Sequence, residues 1–415
     1  MIDVVKKDYQ RVDYLKRLHQ HLITPVHPPI QVILGPRQVG KTTAIKSFMS
    51  QWKGPSFYHT ADQISPPDAQ WMEQQWMAAR KGLTHGQFGL LVFDEIQKIP
   101  RWSEVAKKCY DEDHGEQSAL RVVVLGSSSL MVQRGLTESL AGRFEIIRFP
   151  HWSYRECCEC FGISLDQYIF YGGYPGALRI LIDSQWDLER WRAYVQNSLI
   201  ETVLSKDILM LTPVTKPALF RQAFSLSCMH PAEIFSLNKM LGQLHEAGNA
   251  STLAFYLRLL DAAMLLKPLE RYSGNRVRVK ISSPKLIVLN NALINAISVR
   301  GFSEAKQDQT FWGRLVENAV GASLTNNDEG IGTGVFYWRE RDQEIDFVLK
   351  RGQEVVGIEV KTTLNKRKES QKHPFLRRFP KAKILTTGIT GGDIPLGEIL
   401  SMSHDDIFSQ LKRKY

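Results

Sequence analysis

The sequence predicts an α/β protein: a parallel sheet near the N-terminus, a helical middle region and a second α/β domain at the C-terminus. Three observations predict this fold class. Short apolar runs alternate with helical periods between Ile30 and Phe149, which is typical of a parallel sheet. A glycine-rich loop directly follows the first apolar run. Alternating strand patterns return after residue 335.

The composition is that of an ordinary folded protein long enough for two or three domains. Of the 415 residues, 43% are hydrophobic and 23% are charged. Since no run approaches the ~20 apolar residues of a membrane span and no signal-peptide core opens the chain, we expect a cytoplasmic protein with no membrane partner. The net charge of +10 favours a polyanionic partner or a solubilising surface. The five cysteines fit neither a disulfide framework nor a zinc site.

The chain divides into four predicted regions, which are residues 1–150, 151–230, 231–295 and 300–415. The first is the α/β block, with buried strands expected at 30–34, 57–59, 90–93, 122–125 and 146–149. The second is helical in period. The third is winged-helix-like, with helices at 232–244 and 250–266 and a β-ribbon over 267–280. The fourth begins with a helix at 311–324 and continues with strands at 335–338, 344–349 and 355–360.

The glycine-rich loop predicts an ATP site. It fits G-x-x-x-x-G-K-[ST] at every fixed position, because glycines let backbone N–H groups wrap a phosphate. Lys41 is expected to contact the β- and γ-phosphates, and the Thr42 hydroxyl to ligate Mg²⁺. The predicted nucleotide-binding residues of the loop are Gly35, Pro36, Arg37, Gln38, Val39, Gly40, Lys41, Thr42 and Thr43.

A second strand supplies the acidic half of this site. Four apolar residues at 90–93 deliver Asp94 to the end of a buried strand, where its carboxylate is expected to hold Mg²⁺ through water. Glu95 is then placed to act as the general base that polarises the attacking water. The two motifs together predict ATP binding and hydrolysis.

Two further residues are candidates for the same reaction. Ser127 follows the strand at 122–125, where its hydroxyl would orient the lytic water, although a serine-rich loop is often only a turn. Arg143 is placed to reach the γ-phosphate bound by a neighbouring subunit, with a surface arginine as the alternative.

These stretches carry a resemblance to the AAA+ class of P-loop ATPases. GPRQVGKTT, LVFDEIQKIP, VVVLGSSS and SLAGRFEIIRFP follow one another in the order of that class. The chain is most similar to archaeal and bacterial predicted ATPases that bear a C-terminal nuclease-like domain. Its YGGYPG stretch resembles the glycine–proline element of their lid, which implies that Pro175 packs near the nucleotide. The resemblance implies a homo-oligomer, in a ring or otherwise, with the site at the subunit interface.

The C-terminal region carries a second set of candidate residues. Glu359 and Lys361 lie at i and i+2 on one strand, Asp346 lies on the preceding strand, and Glu317 lies on the helix before them. This is the pattern of the PD-(D/E)xK restriction-endonuclease-like fold. Asp346 and Glu359 are the predicted ligands of Mg²⁺ or Mn²⁺, with Lys361 activating water. An exposed cross-strand charge set is the alternative for E-x-K alone.

Basic residues near this second site point to nucleic acid, most simply DNA. Eight lysines and arginines fall between Lys366 and Lys383, against one acid, Glu369. A solvated charged face is the alternative. The predicted ribbon adds Arg271, although a helix–turn–helix pair can also be only a compact hairpin.

The leading hypothesis is an oligomeric ATP-driven enzyme that acts on DNA and carries a metal-dependent nuclease domain. A second hypothesis is a nucleotide-switched regulatory or scaffold ATPase whose C-terminal fold binds without cutting. A third is a DNA translocase or branch-migration motor in which the nuclease fold serves as a clamp.

Overall fold

A computed structural model describes most of the chain, and it divides into two compact units, Asp3–Pro150 and His151–Tyr415. The predicted boundaries inside the second unit, at 230 and 295, stay predictions. The described residues are 11–24, 28–65, 67–83, 88–115, 118–126, 140–209, 214–246, 248–274, 283–327, 332–361, 373–389 and 391–414.

The N-terminal unit is built on a parallel sheet of five strands, as predicted. Its order is β2-β3-β4-β1-β5, and every pairing is parallel. The central strands are wholly buried because helices cover both faces, which is why they read as continuous apolar runs. The strands are β1 (Ile30–Leu34), β2 (Ser56–Thr60), β3 (Gly89–Asp94), β4 (Leu120–Gly126) and β5 (Phe144–Arg148).

Four helices accompany this sheet in the described part of the unit. The Asp68 side chain caps the third by accepting from the Trp71 N–H at 2.8 Å. Trp76 from the same helix stacks on Phe93 of β3, with ring centroids 6.0 Å apart, and so fixes the helix to the sheet. The helices are α1 (Val12–Leu22), α2 (Lys41–Ser50), α3 (Ala69–Lys81) and α4 (Trp102–Gly115).

The C-terminal unit begins with a run of helices. Serine capping boxes at Ser153 and Ser164 start the first two. The fourth helix continues into π-helical turns at Val195–Ile200 and Val203–Leu209. The helices are α5 (Tyr154–Phe161), α6 (Leu165–Tyr171), α7 (Pro175–Asp183), α8 (Leu188–Tyr194) and α9 (Pro217–Met229).

The next segment differs in detail from the winged-helix prediction. Helix α10 (Leu237–Leu241) is shorter than the predicted 232–244, because Ala232 takes a left-handed φ of 57° and Ile234 forms a β-bridge with Lys285. Helix α11 (Ala250–Ala262) ends four residues early. The ribbon pairs β6 (Leu266–Leu269) with β7 (Lys285–Val288), while residues 275–280 of the predicted ribbon lie outside the described residues.

The last part of the unit is a mixed sheet with the predicted helix and strands. Strands β8, β9 and β10 form an antiparallel meander, and β10, β11 and β12 run parallel, in the order β12-β11-β10-β9-β8. The strands are β8 (Thr333–Glu340), β9 (Gln343–Arg351), β10 (Glu354–Lys361), β11 (Lys383–Gly388) and β12 (Ile394–Pro395). The helices are α12 (Asn291–Ile297), α13 (Phe302–Gln307), α14 (Gln309–Asn326), α15 (Pro374–Arg378), α16 (Leu396–Ile399) and α17 (His404–Lys414).

Across the residues that the structure describes, none of the helices combines the length and the apolar character needed to cross a membrane.

Candidate functional site

The glycine-rich loop joins the end of β1 to the start of α2 in a way that requires glycine. A Cβ on Gly35 would lie 2.0 Å from the Phe149 carbonyl oxygen, which no side chain tolerates. Gly40, directly before α2, has a φ of 88°, in the region that L side chains rarely adopt. The loop therefore has the tight backbone that a phosphate-wrapping turn needs.

Lys41 is held over this loop. Its Nζ donates to the carbonyl oxygens of Gly35 at 2.8 Å and Pro36 at 2.7 Å, and the residue is only 8% exposed. A buried ammonium group at the start of a helix lies where an anionic phosphate is also favoured by the helix N-terminus.

The loop and the acidic strand end are in direct contact. The Thr42 hydroxyl donates to Asp94 Oδ2 at 2.7 Å, and the Tyr58 hydroxyl donates to the same oxygen at 2.7 Å. Burial and the hydrogen bond to Asp94 raise the pKa of Tyr58 above its usual value, so this phenol stays a donor. The oxygens of Thr42 and Asp94 thus converge at one point, and they fit the hard oxygen ligands of Mg²⁺.

Glu95 has a strained backbone at the end of β3. Its φ of 55° is left-handed, which is uncommon for a residue other than glycine, and its N–H donates to Asp94 Oδ1 at 2.8 Å. The Gln97 amide donates to the Glu95 carboxylate. This conformation turns the chain sharply, so that both acids stay at the end of the strand.

The other two residues predicted to act in ATP hydrolysis are Ser127 and Arg143. Ser127 lies outside the described residues. Arg143 precedes β5 at the edge of the sheet opposite the loop, and its Nε pairs with Asp111 Oδ1 at 2.6 Å. Its predicted role toward a neighbouring subunit stays a prediction, beside the surface-arginine alternative.

Pro175 is the first residue of α7, in the C-terminal unit. The preceding glycines pack within that unit: a Cβ on Gly172 would lie 2.0 Å from Asn290 Oδ1, and the Gly173 N–H donates to the same oxygen at 3.1 Å. These contacts explain the two glycines by packing alone, and the nucleotide contact of Pro175 stays a prediction.

The predicted acidic residues of the C-terminal unit lie on adjoining elements. The antiparallel pairing of β9 with β10 reaches Phe347 and Ile358, and just beyond it the Val360 N–H donates to Asp346 Oδ2 at 2.7 Å. Glu359 is 3% exposed, and its Oε2 pairs with Lys361 Nζ at 3.0 Å. His373 Nε2 lies 3.9 Å from Glu359 Oε1.

Two residues that sequence reasoning missed complete this arrangement. Lys285 from β7 lies with its Nζ 2.5 Å from Glu317 Oε1, 2.9 Å from Glu344 Oε1 and 3.9 Å from Asp346 Oδ1. We call these four residues the carboxylate cluster. Glu344 had a signal in the sequence, because it stands two residues before Asp346 on one strand and must share its face. Lys285 had none, since it lies outside the E-x-K pattern.

Electrostatics within the cluster follow from burial. Burial and then the charge of Glu317 raise the pKa of Asp346 to about 7. Burial works to lower the pKa of Lys285, but the three carboxylates outweigh it and raise that pKa above its usual value. The lysine is therefore an ammonium group at any ordinary pH.

The cluster fits a divalent metal poorly. Glu317, Glu344 and Asp346 each offer an oxygen within 4.8 Å of the others, which is close enough for shared ligation. However, an ammonium group already lies against all three, and Arg314 Nη1 lies 3.4 Å from Glu317 Oε2. A divalent ion shared by these oxygens would have to lie against the Lys285 ammonium group, whose positive charge repels it.

A basic cleft lies elsewhere in the same unit. It encloses about 290 Å³ and contains four arginines and one carboxylate among the described residues that line it. The four arginines are exposed, and Glu340 Oε2 lies 3.5 Å from Arg378 Nη1. We call it the arginine cleft, and its arginines are Arg271, Arg339, Arg341 and Arg378.

Comparison with protein families gives three consecutive matches. Residues 27–158 match the model of an AAA domain. Residues 163–305 match the domain of unknown function DUF8612, and residues 312–389 match the domain of unknown function DUF4143.

Known proteins similar to the chain include two from mycobacteria. The uncharacterized proteins Rv2008c of Mycobacterium tuberculosis and Mb2031c of Mycobacterium bovis are each 26% identical over 341 residues, which is 81% of this chain and 70% of theirs. Among solved structures, the Walker-type ATPase PABY2304 of Pyrococcus abyssi has a TM-score of 0.49 at 13% identity, covering 72% of this chain and 98% of that one. The RuvB Holliday junction branch migration motor of Thermotoga maritima has a TM-score of 0.31 at 14% identity, covering 64% and 90%. TM-scores below 0.5 decide nothing about the fold.

The AAA-domain match spans the sheet, the glycine-rich loop and the acidic strand end. A five-stranded parallel sheet with this loop after β1 is the P-loop ATPase fold. The match and the site geometry therefore support a P-loop ATPase family for this chain.

Proposed function

We propose that the chain hydrolyses ATP at the site formed by the glycine-rich loop and the end of β3. The observation that carries this proposal is the 2.7 Å hydrogen bond from Thr42 Oγ1 to Asp94 Oδ2, which joins the two halves of the site. A P-loop ATPase binds its nucleotide with Mg²⁺, and that ion supplies charge neutralisation on the phosphates. Thr42 and Asp94 are the residues that would hold it.

The chain's own groups perform the remaining tasks. Backbone N–H groups of the loop bind the phosphate oxygens, and the Lys41 ammonium adds a point charge beside them. Glu95 orients a water molecule and accepts its proton as that water attacks. The Glu95 N–H donates to Asp94 Oδ1, and this hydrogen bond fixes the backbone from which the Glu95 side chain extends.

The Thr42→Ala variant tests this proposal. We expect the Mg²⁺ concentration that gives half-maximal phosphate release to rise about tenfold or more, because the variant loses one oxygen ligand worth at least 1.4 kcal/mol. Ser50→Ala is the matched control, since it removes a hydroxyl from the other end of the same helix. An unchanged Mg²⁺ requirement in Thr42→Ala would count against the assignment.

We further propose that the C-terminal unit binds DNA without cutting it. Two observations favour this over phosphodiester hydrolysis: the arginine cleft, with four cations against one acid, and the carboxylate cluster, in which the Lys285 ammonium group lies among the three carboxylates. Exposed guanidinium groups bind phosphate oxygens in pairs, which suits a nucleic-acid backbone. Oligomerisation also stays a proposal; Arg143 lies directly before β5, at the end of the sheet opposite the loop of its own chain.

The Arg339→Ala/Arg341→Ala double variant tests the DNA proposal. We expect weaker binding to a labelled duplex and a salt dependence reduced by about one unit of slope per lost phosphate contact. Arg179→Ala/Arg190→Ala is the matched control, because it removes two arginines from helices of the same unit. Equal affinity and slope in both double variants would refute the arginine cleft as the DNA site.

A further inference from the structure

The carboxylate cluster has an unusual centre, the ammonium group of Lys285. This side chain is 0% exposed, although lysine is among the residues least often buried. Its Nζ lies within 4 Å of oxygens from Glu317, Glu344 and Asp346. It therefore stands at the point where a shared metal ion would have to lie.

The lysine is fixed in that position from several sides. Its Nζ also donates to the Asp346 carbonyl oxygen at 3.2 Å and lies 5.1 Å from the centre of the Phe347 ring. Its backbone belongs to β7 and takes part in the β-bridge with Ile234. These contacts hold the ammonium group among the three carboxylates.

The three carboxylates come from two separate elements. Glu317 lies on α14, and Glu344 and Asp346 lie on one face of β9. The Lys285 ammonium group thus pairs with carboxylates from both α14 and β9 while its backbone belongs to β7. A metal ion bound by these carboxylates would connect α14 and β9 in the same way. A second cation at the same oxygens would face the repulsion of this ammonium group at a distance of a few ångströms.

We propose that Lys285 is the resident cation of the carboxylate cluster and takes the place of a divalent metal there. The C-terminal unit then assembles and works without a metal ion at Glu317, Glu344 and Asp346. This inference is independent of ATP hydrolysis and of the arginine cleft. It gives a physical reason for a fold of this pattern to bind DNA without cutting it.

Mn²⁺ binding to the nucleotide-free full-length chain tests the proposal. An Asp94→Asn background removes the metal ligand of the ATP site, and bound Mn²⁺ is counted by equilibrium dialysis and electron paramagnetic resonance. We expect Asp94→Asn and Asp94→Asn/Asp346→Asn to bind the same amount of Mn²⁺. An Mn²⁺ site present in the first protein and lost in the second would overturn the proposal. This comparison leaves Lys285 unchanged.

A gain-of-binding variant provides the complementary test. In the Asp94→Asn background, Lys285→Met replaces the ammonium group by an uncharged side chain of similar length. We expect this double variant to bind Mn²⁺ at least about tenfold more tightly than Asp94→Asn alone. Lys267→Met is the matched control, because it removes an amine of the same ribbon that pairs with Asp261 outside the cluster, and it should bind Mn²⁺ as the background does. Mn²⁺ affinity in Lys285→Met equal to that of the background would contradict the proposal.

Discussion

Replacing Glu95 with glutamine is expected to lower the rate of ATP hydrolysis by roughly 100- to 10,000-fold while leaving nucleotide binding nearly unchanged. Glutamine keeps the size and the hydrogen-bonding reach of the side chain but does not accept a proton from water. The loop, Lys41 and Thr42 are untouched, so the phosphates are still bound. The measurement is phosphate release at saturating Mg-ATP together with the affinity for a fluorescent ATP analogue.

The matched control for this prediction is Glu104→Gln. Glu104 is an exposed glutamate of α4 that pairs with Arg101 on the surface of the same unit. The Glu104→Gln variant should hydrolyse ATP at the wild-type rate, since a surface ion pair contributes little to stability. Turnover by Glu95→Gln within a few-fold of this control would exclude Glu95 as the general base.

Replacing Lys285 with methionine is expected to destabilise the C-terminal unit by about 3–5 kcal/mol. Removal of one partner leaves Glu317, Glu344 and Asp346 partly buried and mutually repelling, and methionine does not compensate their charge. Because the chain has more than one compact unit, a single unfolding midpoint is not a suitable measure. Amide hydrogen exchange in α14 and β9 reports the free energy of opening for this unit directly.

Lys267→Met serves as the control for this second prediction. Both variants remove an ammonium group that pairs with a carboxylate, but the side chains of Lys267 and its partner Asp261 are 36% and 32% exposed. We expect Lys267→Met to cost less than about 1 kcal/mol. An equal loss of opening free energy in the two variants would show that Lys285 contributes no more to stability than a surface ion pair does.

Much of the nucleotide site could be predicted from sequence because each of its two motifs is a short contiguous stretch that directly follows a strand. Periodicity identifies β1 and β3, and parallel strands bring their carboxyl ends to one edge of a sheet, so Thr42 and Asp94 are expected together. Tyr58 was not predicted, although its hydroxyl reaches the same carboxylate oxygen. Its strand is separate from both motifs, and no spacing rule connects them.

The C-terminal unit shows why such prediction stops at local patterns. The strand at 344–349 and its neighbour at 355–360 follow from alternation, and their register sets Asp346 beside the E-x-K strand. Lys285 lies on β7, in the ribbon that β7 forms with β6 and outside the mixed sheet, so only the tertiary fold brings it into the carboxylate cluster. The predicted helix from 232 fails for a local reason, the left-handed φ of Ala232, which nothing in the residue type signals.

If the glycine-rich loop and the end of β3 form one ATP-hydrolysing site, the purified chain releases phosphate from ATP, and that release is the measurement to make first. The purified full-length chain is assayed with Mg-ATP, alone and with single-stranded, duplex and branched DNA, and Glu95→Gln serves as the blank. We expect the wild type to turn over ATP where Glu95→Gln does not, and one form of DNA to stimulate that turnover. Turnover of the wild type no greater than that of Glu95→Gln under every condition would contradict this expectation.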